Sequence, residues 1–566
     1  MKESLMNTPT ANTPSRRSFV AGAAGLTALA LGTSGCSAIT GEGGGGTGAD
    51  AAASGDITLP TVIDDFSPAI EPYYTAESEA MADVYVGNPT EFPKSVDRDP
   101  HDGSETITTF QLMWGTPPLD REKNEYWQEL EKRLGVTYEP QFVPQATYDS
   151  KFSTMLASGK IPDLVFLNDQ SAVELQAVRD GAFADLSEIL GGDEITKWPN
   201  LANRTEAIWQ ASLKKGRVFQ IPAVVARITN HAVMNRSVLE ETSVGTEPRD
   251  ADELMTALLE ASKQKIGGQK VYGFTNVDVN RPLFYRLFRV GAEWQRDDSG
   301  KLVHMIETEN YQEMLTWLAA AWKDGAFDPN SLQPQTETTA WRSALSYEAI
   351  SGSFGGSLFA DAEDQHETTL DFFTLPGFDG GDPLIIQNIP YGRSTSISAE
   401  AAKDPDRLQV VLDTLDYLSA PWGSEESLFI GSGIEGRHYE FGELNFPIST
   451  DEHTDELGVQ YVGVESGRTR YSAHPEAVDL ADSFVESMKR TADHSEVRIL
   501  EGLESDSETF ISKGPQLKES FTDFENGVIT GRESVDDLES FVSDWLSQGG
   551  ESIRGEYEAL LKEAGR

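Results

Sequence analysis

The sequence predicts an α/β protein divided into more than one lobe. Three observations carry that expectation. Between positions 107 and 181 short apolar runs alternate with amphipathic stretches in the order β-α-β-α-β-α, the pattern of a largely parallel sheet covered by helices. The chain has 566 residues, too many for one hydrophobic core. With 38% hydrophobic and 24% charged residues, its composition is that of a folded globular protein.

In chain order, Ser15-Arg16-Arg17-Ser18-Phe19-Val20 is a twin-arginine pattern. An apolar stretch from Val20 to Leu31 follows, and the small residues Gly32-Thr33-Ser34-Gly35 lead into Cys36. A charged start, a short apolar run and small residues before a cut describe an export signal over residues 1–35 rather than a spanning helix. The single cysteine of the chain stands at the cut. This looks like a bacterial lipobox, with Thr33 where Leu is usual, and Cys36 is the expected lipidated first residue. Gly41-Glu42-Gly43-Gly44-Gly45-Gly46-Thr47-Gly48 reads as a flexible tether. Positions 43, 45 and 48 spell G-x-G-x-x-G, but no strand precedes them and no amphipathic helix follows, which argues against a dinucleotide site. Residues 56–103, rich in Pro, Asp and Tyr, read as an extended strap. Residues 36–103 are thus a lipid-anchored Gly-rich linker and strap.

Ile107–Trp114 is the first strand candidate. A helix with Tyr126, Trp127, Leu130 and Leu134 on one face stops at Gly135. Val136, Tyr138 and Phe142 form the next strand. Thr147 can cap a helix carrying Phe152, Met155 and Leu156 that ends at Gly159. Leu164–Leu167 is a strand, and residues 173–178 are helical again. Later helices carry Leu254/Leu258, Met314/Leu318/Trp322 and Leu408/Val411/Leu415/Leu418. Ser534 and Asp537 form a capping box before Leu538, Phe541 and Trp545. Trp127, Trp322 and Trp545 lie on apolar helix faces and belong to the core.

A net charge of −48 argues against nucleic acid as a partner, since phosphates attract Lys and Arg. One cysteine permits no internal disulfide and no multi-cysteine zinc site. The sequence contains no G-x-S-x-G elbow, no H-E-x-x-H and no phosphate loop with Lys. Asn276-Val277-Asp278-Val279-Asn280 opens like a calcium loop, but Arg281 replaces the required Gly and Leu287 the required Glu, so an EF-hand is rejected. No catalytic residue, metal or cofactor is assigned, although a calcium site of another construction stays open.

The stretch Tyr148 to Val165, with Lys151-Phe152-Ser153-Thr154-Met155-Leu156-Ala157-Ser158-Gly159-Lys160-Ile161-Pro162-Asp163-Leu164-Val165, resembles extracellular solute-binding proteins of family 1, the capture components of carbohydrate ABC importers. Lys215-Gly216-Arg217-Val218-Phe219-Gln220-Ile221-Pro222 is similar to the family's crossing strand, and Ala321–Pro329 to its helix-end turn. Glu247–Leu254 matches a further segment without its Trp. Gly431-Ser432-Gly433-Ile434-Glu435-Gly436-Arg437-His438-Tyr439 and Phe524–Arg532 resemble the long, LplA-like lipoprotein subgroup. The resemblance covers residues 104–566. It implies a two-lobed periplasmic-binding-protein-like fold of type II, with a ligand cleft between lobes joined by a multi-crossing hinge. The expected lobes are 104–228 plus 362–425, and 232–358 plus 430–566. The implied partners are a carbohydrate, most simply an oligosaccharide, the permease subunits, and the outer face of the membrane through the lipid on Cys36. The protein is expected to be a monomer.

A sugar offers an apolar C–H face to aromatic rings and a rim of hydroxyls to planar polar side chains. In open α/β sheets the strand C-termini face the ligand crevice, which selects Trp114 after the first strand and Asn168 and Asp169 after Leu164–Leu167. Arg227 follows the crossing strand, where the family often places a ligand-facing polar group. Trp294, Trp341, Tyr391 and Arg393 stand in loop-like contexts beside the crevice. Each has a structural alternative: core packing for the aromatics, a helix N-cap for Asp169, salt bridges for the arginines. Glu435, Arg437 and His438 are open between packing, lobe closure and ligand contact. Two other functional classes stay open: a secreted glycoside hydrolase or lyase using paired cleft carboxylates, and a surface adhesin or sensor without a transporter.

Overall fold

The alternation of apolar runs and amphipathic stretches becomes a sheet whose first two helices each end at a glycine. In the computed structural model, which describes residues 57–566 except Trp114, 169–170, 334–338, 351, 463–465 and 468, strand β1 (Thr106–Met113) leads into helix α1 (Glu125–Leu134). Asn124 caps α1 by accepting from Trp127 N, and Gly135 closes it at φ 68°, a left-handed turn glycine adopts without strain. Strand β2 (Thr137–Pro144), helix α2 (Tyr148–Ser158), strand β3 (Leu164–Leu167) and helix α3 (Ala172–Arg179) follow. Thr147 precedes α2 without capping it: its hydroxyl donates back to Pro144 O at 3.2 Å. The capping box of Ser534 and Asp537 forms as the sequence predicts.

The chain then lays down β4 (Ile221–Val225), β5 (Asn230–Asn235), β6 (Leu345–Ala349), β7 (Leu370–Phe372), β8 (Tyr391–Ile397) and β9 (Ser466–Gly467). The first sheet has the order β9-β4-β8-β3-β1-β2. Its pairs β1–β2, β1–β3 and β4–β9 are parallel, while β8 enters antiparallel to both of its neighbours. The second sheet, β6-β5-β7, is antiparallel.

Each sheet organises its own core. Because side chains alternate across a strand, Ile107 joins Tyr126, Leu130, Ile221, Ile397 and Leu412 on one face of the first sheet, and Phe110 joins Phe152, Phe166 and Val178 on the other. Far along the chain, Leu457, Val459 and Val462 return to the first of these clusters. Around the second sheet, Leu258, Phe274, Phe284, Leu318, Leu345, Phe521 and Trp545 form the largest cluster, with Trp322 against it. Trp127 packs against the first cluster.

The chain passes between the sheets at residues 226–229, at 373–390, and again after β9, where Thr469–Ser472 pairs with Asp83–Tyr85 and Ser353–Phe354. The first two passages are stitched together: Val225 N donates to Pro390 O at 3.2 Å, Asn388 N to Arg227 O at 2.9 Å, and Asn388 Nδ2 to Thr229 Oγ1 at 2.5 Å. The strap runs over both sheets. Ile57, Leu59 and Ile63 rest on the first core, Val84 is buried with Val233, Phe354 and Phe484, and Arg98 returns to Asp416 at 2.9 Å.

Asp163, from the Ile161–Val165 signature, is a structural clasp. Its Oδ2 accepts from Thr108 N at 2.8 Å, Thr108 Oγ1 at 2.6 Å and Arg407 Nη2 at 2.7 Å, tying β1 and the start of β3 to helix Pro405–Leu418. Asp163→Ala should lower the unfolding free energy by about 1–2 kcal/mol, because it leaves the Thr108 amide and hydroxyl without their acceptor while Arg407 keeps Glu105 and Thr106 O. Urea unfolding measures this, and ligand affinity should be unaffected.

Candidate functional site

The candidate site is the seam where side chains of the two lobes converge, and it begins with a turn. Lys214 and Arg217 exchange backbone hydrogen bonds across Lys215-Gly216, with Lys215 itself left-handed at φ 51°. This turn feeds β4 and presents Lys214, whose Nζ donates to Tyr391 Oη at 3.1 Å at the start of β8. Arg393, in the same strand, lays its guanidinium 4.9 Å from the ring centre of Tyr461, and that ring lies 5.9 Å from Phe166.

Facing this wall is the loop between helices Ala481–Asp493 and Glu508–Thr530. Arg179, the last residue of α3, donates from Nη2 to Ser505 O at 2.7 Å. Arg227, in the first passage, grips Glu501 through two bonds of 2.8 and 3.0 Å, and each side chain is only about a tenth exposed (9% and 10%).

The electrostatics of the seam are uneven. Burial raises Glu504 to about 7; Arg498 and Lys214 oppose the shift and the carboxylates of Glu293 and Glu501 reinforce it. Burial also raises Asp506, against the Lys215 backbone amide and the charges of Arg179 and Lys214. On Glu293 the upward push of desolvation is outweighed by His304, then by Lys518 and Arg498, so it is lowered. The seam therefore places a carboxyl that burial pushes up beside one that its neighbours hold down.

Two small cavities open here. One of about 60 Å³ is lined by Leu175, Arg179, Lys214, Phe219 and Asp506 among others; one of about 40 Å³ lies between Glu293, Trp294, Arg498, Glu504 and Tyr557. A larger hollow of about 400 Å³ lies elsewhere, under the strap between Arg98, His101, Arg133 and Tyr417. Its arginines are engaged by neighbouring carboxylates, Arg98 by Asp413 and Asp416 and Arg133 by Glu129 and Glu425, and His101 lies 3.2 Å from Asp413. Among the described residues no cluster of His, Cys, Asp and Glu is arranged to hold a metal ion.

Residues 116–421, more than half of the chain, match the family described as bacterial extracellular solute-binding protein. The chain belongs to this family. As a solute-binding protein it is 22% identical over 492 residues to lipoprotein LipO of Bacillus subtilis, covering 81% of this chain and 93% of LipO. It is also 22% identical over 479 residues to the polygalacturonan/rhamnogalacturonan-binding protein YtcQ of Bacillus subtilis, covering 79% of this chain and 89% of YtcQ. Its fold is that of a solute-binding protein associated with an HMO-binding ABC transporter from Bifidobacterium longum infantis. That likeness has a TM-score of 0.59 at 13% identity and covers 81% of this chain and 99% of the other. The two-lobed, type II binding-protein architecture expected from the sequence is therefore the fold of this chain.

Within this solute-binding protein the residues selected from sequence scatter. Tyr391, Arg393 and Arg227 stand along the seam, Arg227 as half of a buried ion pair. Asn168 is exposed beyond β3, its backbone N donating to Glu174 Oε1 at 3.0 Å. Trp294 is 6% exposed in the second core, edge-on to His304 and Tyr557, while bordering the smaller seam cavity. Trp341 stacks on His366 at 3.7 Å and accepts from Asn235 at its carbonyl. Trp114, Asp169 and Cys36 lie outside the described residues. The sequence reading missed Lys214, Arg179, Glu501 and Glu504. The basic pair before Gly216 is a usable signal for Lys214. Nothing in Glu501-Gly502-Leu503-Glu504 distinguishes those acids from the many others in the chain.

Proposed function

We propose that this chain is an exported lipoprotein, anchored through Cys36 to the outer face of the membrane, that captures a carbohydrate between its lobes and passes it unaltered to an ABC permease. The single observation that supports this reading best is the seam itself. Planar polar groups (Arg179, Arg393) and rings (Tyr391, Tyr461) of the first lobe face Glu504 of the second there, which suits a hydroxylated guest. The likeness to YtcQ, a polygalacturonan/rhamnogalacturonan-binding protein, and to the solute-binding protein associated with an HMO-binding ABC transporter supports the ligand class. Cavities of about 60 and 40 Å³ are far below the roughly 300 Å³ of small-molecule pockets. The lobes must therefore part to admit a sugar, and the stitched passages are the natural hinge. We assign residues 104–225 and 391–462 to the first lobe and 230–372 and 469–566 to the second. This follows the cores: relative to the lobes expected from the sequence, it moves 430–462 from the second lobe to the first and 362–372 from the first to the second. No helix among the described residues is long and apolar enough to cross a membrane.

The test is isothermal titration of the exported chain against neutral and acidic oligosaccharides, with chromatography of the recovered sugar. One glycan class should bind at one per chain and be recovered intact. At 100 times its dissociation constant it should add about 2.7 kcal/mol of stability. Lys214→Met should weaken binding about tenfold or more by removing a charged donor from the seam.

A second reading rests on Glu504 and Glu293, whose opposed shifts resemble the acid and carboxylate of a glycoside hydrolase. The same incubation separates the readings, since new reducing ends would establish turnover.

A further inference from the structure

A cavity of about 30 Å³ lies in the second lobe between Ala232 and Tyr347 of the second sheet, Arg286 of helix Val277–Leu287, the passage 373–385, and Ser487, Arg490 and Thr491 of helix Ala481–Asp493. It shares no lining residue with the seam cavities. Its chemistry runs against the rest of the molecule. In a chain of net charge −48 it is lined by two arginines and no carboxylate.

Arg286 has no carboxylate in ion-pair reach among the described residues. Its guanidinium sits 4.5 Å from the ring centre of Tyr347 and reaches Asn230 O only at 3.4 Å. Burial lowers it below the usual arginine value. Arg490 reaches the cavity from its exposed rim, with a side chain 45% exposed and a loose ion pair to Asp382 at 3.9 Å. Tyr347 is 4% exposed, and its hydroxyl is buried with no partner. Ser487 Oγ lies 3.1 Å from His231 Nδ1, and His231 is held neutral, lowered to about 3 by burial and by the charges of Arg470 and Arg286. A buried hydroxyl without a partner, beside a half-buried guanidinium with no carboxylate in reach, favours an occupant. A bare water supplies an acceptor but no compensating charge. The volume admits one or two water-sized bodies, which excludes a sugar acid or an organic phosphate.

We propose that Arg286, Tyr347 and Arg490 bind a small inorganic anion of the size of chloride. Because Phe373, Thr374, Leu375, Pro383 and Ile385 of the inter-lobe passage also line the cavity, the anion fastens that passage to the second lobe. The site is independent of the carbohydrate reading.

The test uses bromide as the probe. Crystals of the exported chain soaked in sodium bromide should show an anomalous peak between Arg286, Tyr347 and Arg490. Thermal melting in sodium chloride should exceed that in sodium methanesulfonate at equal ionic strength. That difference should vanish in Arg286→Gln and in Tyr347→Phe, the second of which removes one oxygen and keeps the ring that packs the core. Water in the cavity of the soaked crystal, bromide found only elsewhere, or a halide-dependent melting shift that persists in both variants would overturn the proposal.

Discussion

Glu456→Ala lowers the unfolding free energy by about 3–5 kcal/mol, the cost of deleting one member of a buried charged network. Glu456 is 1% exposed and does three things at once. It accepts from Glu125 N at 2.8 Å and Tyr126 N at 3.2 Å, at the N-terminus of α1 where a negative charge is favoured. It pairs with Arg437, and it meets His438 Nε2 at 3.1 Å. Against the upward push of desolvation, these partners lower its carboxyl to about 2. The folded value thus lies below the ordinary 4.5. The stabilisation is accordingly complete above about pH 4.5, is lost as pH falls through about 2, and is worth about 3 kcal/mol at neutrality. Urea titrations of wild type at pH 7 and 3 should show part of this loss, and Glu456→Ala should flatten the dependence. Glu456→Gln, which keeps an acceptor but not the charge, should fall between.

The second large effect is expected at the passage between the lobes. Glu501→Ala leaves buried Arg227 without its carboxylate, and should cost about 3–5 kcal/mol. Replacing both partners, as Arg227→Met with Glu501→Leu, should restore most of that loss, because neither buried charge then remains. A double-mutant cycle by chemical denaturation measures the coupling. A cycle in which the double variant is as unstable as Glu501→Ala would show that the pair does more than neutralise itself.

These two networks also show what a single sequence exposes. Gly431–Tyr439 stood out as a motif, but whether Arg437 and His438 touched ligand or held the fold stayed open. Their partner Glu456 lies further along the chain in a stretch with no signal of its own. The helix faces of Tyr126, Leu130 and Leu134, the stop at Gly135 and the parallel start of the first sheet were legible because local periodicity and backbone sterics dictate them. The antiparallel entry of β8 between β3 and β4 was not, since strand pairing across so many residues leaves no local trace. For the same reason Tyr391 and Arg393 could be selected while their pairing with Lys214 and Tyr461 could not.

The central claim is that the lobes separate, admit a carbohydrate and close over it without breaking a bond. Small-angle scattering of the exported chain, titrated with the glycan that binds in calorimetry, tests this most directly. The ligand-free chain should have a larger radius of gyration than the closed-seam structure, and the bound chain should contract to match it, with the glycan recovered whole. A profile unchanged by every glycan, or a glycan recovered in fragments, would contradict the account.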